Sequence, residues 1–262
     1  MLDPKREIYD AAPLMLVAFE LRFTTIPGLE SSRWEDVYEQ IRESFPIVGP
    51  PPRVALQLGP GRAEQTVQGV RLLDRERSRS VVLYDESVIV ETSAYVRFEE
   101  LLELIETVLS ALHRAASIPA VQRVGLRYID EITVPETSHD WSRYIDESLL
   151  CPLGKFAEFS PGAYSGTLEL RAGEQRTVTL NYGVFNEPVV NPDGALRIPK
   201  SPEGAYFLID LDSFWSAPLA EFPEFQIQQV LQKCEQLHDP IRQIFEQSIT
   251  DDLRSHMRGD SR

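Results

Sequence analysis

LMLVAFELRF, residues Leu14–Phe23, decides how the chain is read. Val17, Phe19, Leu21 and Phe23 alternate with Ala18, Glu20 and Arg22, the period of two that marks a strand with one buried face. A second stretch, Val124-Gly125-Leu126-Arg127-Tyr128 continuing through Ile129–Val134, echoes Phe19-Glu20-Leu21-Arg22-Phe23. It predicts another long strand.

Similar elements follow each of the two strands. Behind the first, Ser32 and Glu35 stand at capping-box spacing ahead of a helix whose stripe is Trp34, Val37, Tyr38 and Ile41. Pro46 ends that helix near Phe45, because the residue before a proline is disfavoured in helical geometry. Strands are predicted at 53–58, 65–73, 80–84 and 87–92 as an antiparallel meander, then an amphipathic helix over 98–114 with Leu101, Leu102, Ile105, Val108, Leu109 and Leu112 inward. Behind the second strand come a helical stretch near 141–150, capped by Ser138 or Asp140, and strands at 163–171, 176–185 and 205–212. A terminal helix over 225–257 follows, which Pro240 is expected to kink or split with Asp239 as a cap.

The predicted class is therefore α+β, a tandem duplication of a strand, helix, antiparallel-sheet and long-helix unit. Residues 1–117 form the first half and residues 118–262 the second. That order occurs in helix-grip and TATA-binding-protein-like folds, where a curved sheet wraps a long helix.

Composition narrows the function classes. The net charge of -15 is distributed over both halves, so it opposes the counterion-release term on which nucleic-acid affinity depends. Direct nucleic-acid binding is not expected. The two cysteines, Cys151 and Cys234, lack metal or redox spacing and read as core thiols of a reducing compartment. The N-terminal apolar run is broken by Glu20 and Arg22, and no segment reaches membrane-span length, so a cytoplasmic location without membrane contact is expected.

Catalytic motifs are missing from the pattern. His113, His139, His238 and His256 have no HxxxH spacing and no neighbouring cysteine pair, so neither a metal nor a cofactor is expected. His113 and His238 sit late in helical segments, where a cation favours the helix dipole. Ser165 is outside any GxSxG elbow, and Gly59-Pro60-Gly61 reads as a turn rather than a phosphate cradle. Asp210 and Asp212, two apart on a strand, point to one face and make a candidate binding pair for a cation or a basic partner. Arg127, Tyr128 and Asp130 join them as binding candidates from the second long strand, with an ion pair to the aspartates as the economical role for Arg127. Arg71, Arg75, Arg77 and Arg79, interleaved with Asp74 and Glu76, mark a hairpin tip that would suit an acidic docking partner.

Certain strings recur in a fixed order: Ala12-Pro13-Leu14 before Phe19–Phe23, Arg123–Ile132, Asp210-Leu211-Asp212 before Phe214-Trp215, and the terminal run from Leu237-His238 through Phe245-Glu246 and Ile249-Thr250 to Met257. In this the whole chain resembles a sporadically distributed prokaryotic family of uncharacterised proteins of about this length. That family usually has Asn where this chain has Asp130. The resemblance implies no activity, and patchy distribution is typical of mobile, antiphage-defence or toxin-linked genes.

The expectation is a non-enzymatic protein-binding or regulatory module, the antitoxin, immunity or chaperone-like partner in a gene pair. Its binding partner is another protein, and a homo-oligomer is compatible with the same reading. Two alternatives stay open: a small-molecule sensor with a pocket between sheet and long helix, and a metal-dependent enzyme built on Asp210 and Asp212.

Overall fold

The computed structural model describes residues 9, 11–58, 61–66, 68–133, 140–150, 164–186, 194–199 and 204–259. Cys151, Ser138, His139, the Gly59-Pro60 turn and most of the 186–202 loop lie outside them.

Both predicted long strands are present, and they pair with each other. β1 (Leu14–Phe23) runs antiparallel to the strand Val121–Ile132, with Phe19 opposite Leu126. Numbered along the chain, the strands between them are β2 (Ile47–Val48), β3 (Arg53–Leu58), β4 (Gly61–Thr66), β5 (Val70–Leu73), β6 (Arg79–Tyr84) and β7 (Ser87–Thr92). Val121–Ile132 is β8, followed by β9 (Tyr164–Arg171), β10 (Arg176–Phe185) and β11 (Tyr206–Ser216). Nine of them form one antiparallel sheet in the order β2-β5-β6-β7-β1-β8-β11-β10-β9. β3 and β4 pair with each other as a separate two-stranded ribbon. The expected strand 65–73 is thus two strands in different sheets, with a break at Gly69, where a Cβ would lie 2.8 Å from the Tyr84 ring.

The period-two pattern fixes which face is covered. Val17, Phe19, Leu21 and Phe23 of β1 share a core with Val124, Leu126 and Tyr128 of β8, Phe207, Ile209 and Leu211 of β11, and Val178 and Leu180 of β10. Two helices complete that core, α2 (Phe98–Ala116) and α3 (Ile227–Ser248), which pack against one another. α3 also lies on β8, β11 and β10. Helix α1 (Trp34–Ile41) packs beside α2 and buries Val37 and Ile41.

Two predicted boundaries move for identifiable reasons. Ser32 does not cap a helix; it sits inside a π-helical turn, Leu29–Arg33, that runs straight into α1, and its hydroxyl donates to Gly28 O at 3.2 Å. Gly28, at φ 79°, turns the chain. The Asp85 carboxylate, remote in sequence, accepts from Gly28 N (3.4 Å) and Glu30 N (3.1 Å), which satisfies the orphan amides at that end. Pro240 does not split the terminal helix, which runs through it to Ser248. The break falls at Ile249 and Thr250, where Ile249 bridges to Ile145 and Thr250 N donates to Tyr144 O at 3.1 Å. The Thr250 hydroxyl then accepts from Leu253 N and caps α4 (Asp251–Met257). Asp140, of the two proposed caps near 141, accepts from Ser142 N at 3.1 Å.

The helical stripes differ in depth. Ile105 is fully buried and Leu237 is 1% exposed, whereas Ile244, central in the predicted stripe of α3, is only partly buried. Ile105→Ala and Leu237→Ala are each expected to cost about 2–5 kcal/mol. Ile244→Ala is expected to cost clearly less, and urea denaturation of the three variants checks the ranking.

Candidate functional site

Strand alternation divides the predicted site residues between two faces. In β8, Val124, Leu126 and Tyr128 point to the helices, so Arg123, Gly125 and Arg127 point away. Asp130 shares the parity of Tyr128 and lies on the helix side. Arg127 and Asp130 therefore do not converge.

The open face carries a ladder of charges across three strands, β1, β8 and β11. Arg127 lies opposite Asp212 in register but pairs diagonally, its Nε and Nη2 donating to the two Asp210 carboxylate oxygens at 2.7 Å each. Asn181 Nδ2 of β10 also donates to Asp210 Oδ2 at 3.3 Å, and its Oδ1 accepts from the Thr167 hydroxyl of β9 at 2.9 Å. Asp212 is held by Arg123 Nη2 at 2.9 Å, and Arg123 Nη1 pairs with Glu20 of β1. Arg123 thus bridges β1 and β11 across its own strand, with its guanidinium 4.5 Å above the Phe214 ring. Gly125 makes room for this: a Cβ there would stand 2.5 Å from Arg123 Nη1.

Exposure decides what each group contributes. The Asp210 side chain is 5% exposed, while Arg127 remains 48% exposed, so the charge this face shows most openly is a guanidinium. The Arg127 pKa is raised, chiefly by its hydrogen bond to Asp210. Burial raises the Asp212 pKa and outweighs the opposing pull of Arg123 and Arg127. Each carboxylate of the candidate pair already faces a guanidinium. Among the described residues, no group of three or more His, Cys, Asp or Glu side chains is placed to hold a metal ion.

The helix side of the same strands has a different chemistry. Tyr128 meets Tyr95 edge-on at 5.5 Å, with their hydroxyls 3.4 Å apart. His238 stacks on Phe98 at 4.0 Å and 5°, and its ring lies 5.8 Å from that of Tyr128. His238 is consequently a buried mid-helix residue rather than a dipole partner at a helix end, because α3 continues ten residues past it to Ser248. His113 does lie in the last turn of α2, 4.9 Å from the Phe225 ring. Burial pushes the Cys234 thiol and the Tyr128 hydroxyl well up, which keeps both neutral. A cleft beside Tyr95, lined also by Arg79, Thr92, Arg97 and Glu100, has room for about 20 Å³, the scale of a single water.

The arginine cluster is a hairpin tip between β5 and β6. Asp74 shapes it by accepting from Ser78 N (2.7 Å), Arg79 N (3.0 Å) and the Ser78 hydroxyl (2.8 Å). Arg75 and Arg77 are exposed, Arg71 is 7% exposed and Arg79 turns toward the small cleft, so the four do not form one patch. The tip is tied down, since Arg197 N donates to Arg77 O at 2.7 Å.

Sequence reasoning missed Glu20, Arg123, Gly125 and Asn181. The available signal was the two-residue spacing of Glu20 with Arg22 and the four-residue spacing of Arg123 with Arg127 about Gly125, but register was needed to see which charges meet. No family model matches the chain, and a search of curated proteins finds no significant match. Among the described residues, no helix is long and apolar enough to cross a membrane.

Asp130, on the helix side, makes the stability of the fold depend on pH. Burial, followed by the Asp210 charge, raises its pKa from 3.8 to about 8. Between those values the folded protein keeps a proton that the unfolded chain has released, so this contribution to stability is present below about pH 4 and is lost toward pH 8. The slope reaches about 1.4 kcal/mol per pH unit. Asp130→Asn removes it. Urea unfolding at pH 5 and pH 8 is expected to show the wild type losing more stability over that interval than the variant.

Proposed function

We propose that this protein is a non-enzymatic binding module that recognises another protein through the open face of its sheet, as the regulatory, antitoxin or immunity member of a gene pair. The observation that carries this reading is the ladder of Glu20, Arg123, Asp212, Arg127 and Asp210 across β1, β8 and β11. Its charges are mutually satisfied, which suits presentation of a fixed polar surface better than turnover or metal binding. Arg127 and Arg22, with side chains 48% and 56% exposed, are accessible cations beside its carboxylates, and a partner with carboxylates at matching spacing would pair with them.

The reading includes a tandem duplication of the TATA-binding-protein-like kind. Its support is topological: outward from the seam the first half runs β1, β7, β6, β5 and the second β8, β11, β10, β9, each with a long helix after its last strand, α2 or α3. A duplicated unit of this kind would place two half-sheets edge to edge and double the area of the open face.

Affinity capture from the native host tests the function. Arg22→Glu is expected to leave the melting temperature within a few degrees of wild type, because Arg22 is exposed and its partner Glu20 keeps Arg123, and to abolish retention of the specific partner. Equal retention by wild type and variant would remove the open face from the account. A metabolite that raises the melting temperature, with no protein retained, would favour the sensor instead.

A further inference from the structure

The two ends of the sheet are finished differently. On the β5 side the short strand β2 pairs Ile47 with Leu73 and Val48 with Leu72. On the other side β9 is the last strand, and among the described residues nothing pairs with its outer edge. This eight-residue edge has no proline, lysine or bulge, and its two charges, Glu169 and Arg171, are of opposite sign, so they can pair with an added strand rather than repel it. Leu168 and Leu170 stand 43% and 40% exposed on its helix-side face, in line with Leu180 and Val178 of β10.

The register shows what fits there. Ala172 N donates to Arg176 O at 3.0 Å, so Ala172, Leu170 and Leu168 direct their main-chain groups toward β10. Thr167, Glu169 and Arg171 therefore direct theirs outward. A second copy of β9 laid antiparallel can bond only through these odd-numbered residues, which leaves registers centred on Leu168, Glu169 or Leu170. Centring on Glu169 sets that carboxylate against itself. Centring on Leu168 sets Glu169 against Thr167 and leaves Arg171 opposite Ser165. Centring on Leu170 sets Glu169 against Arg171 of the other copy twice over, and Leu170 against Leu170 in a close, non-hydrogen-bonded pair. Leu168 then meets Ala172.

We propose that the outer edge of β9 is a self-association surface, where two copies pair antiparallel about Leu170 and join their sheets into one. The arrangement is isologous and closed, so it stops at a dimer. It is also narrow, and its area falls below the ~1,000 Å² expected of a stable interface, so the dimer is weak and concentration-dependent. Long-range repulsion between chains of charge -15 is screened at physiological salt, where the Debye length is about 8 Å.

Sedimentation velocity between about 1 and 300 μM, a range that brackets weak association, tests this with a charge swap. The wild type is expected to shift toward dimer as concentration rises. Glu169→Arg and Arg171→Glu each set like charges opposite one another and should weaken association at least about tenfold, equivalent to 1.4 kcal/mol. The double variant restores opposite charges in the same places and should regain it. Both side chains are exposed, so an unchanged melting temperature confirms that each variant folds. A wild type that stays monomeric throughout, or a dimer indifferent to the swap, would overturn the proposal.

Discussion

Phe19 and Leu126 face each other midway along the pairing of β1 with β8, and both point into the core beneath α2 and α3. The rest of the molecule depends on that pairing. It joins strands from either side of residue 118 into one sheet, and with a side-chain period of two a slip of one residue would turn Val17, Phe19, Leu21 and Phe23 outward. Burial of these four, each wholly inaccessible, against the helices makes such a slip costly and fixes the register of every strand hydrogen-bonded beyond them.

The same alternation gives β8 two unrelated surfaces. Arg123 and Arg127 leave on the open side and meet Glu20, Asp212 and Asp210, while Tyr128 enters the helix side beside Tyr95 and His238, and Asp130 shares its parity. A glycine at 125 is a consequence of this geometry, because the Arg123 guanidinium lies where its Cβ would be. Exposed ion pairs contribute little to stability on their own. Their value here is in fixing the position of a polar surface whose backing is a rigid, fully packed sheet.

Elements whose period was long and unbroken were legible in the sequence: β1, β8, β10 and α2 appear within a few residues of their predicted bounds. Features set by distant partners were not. Nothing local to Ser32 could show that Asp85 would satisfy the amides before α1, and nothing local to Pro240 could show that the chain would break instead at Ile249, where it bridges to Ile145. Pairing of Arg127 with the aspartates could be anticipated from parity alone, since Asp210 and Asp212 share a face. The placement of Arg123 between Glu20 and Asp212 could not, because three strands from separate parts of the chain meet there.

Native-state hydrogen exchange tests the seam most directly. If β1 and β8 are the centre of a single cooperative sheet, the interior amides of Val17–Leu21 and Val124–Tyr128 exchange only through global unfolding, with protection equal to the stability measured in urea. Amides of the edge strand β9 and of α4 open at lower cost. Seam amides that exchange faster than those of β6 and β10 would mean that the sheet parts between β1 and β8 while each side stays folded, which contradicts the account.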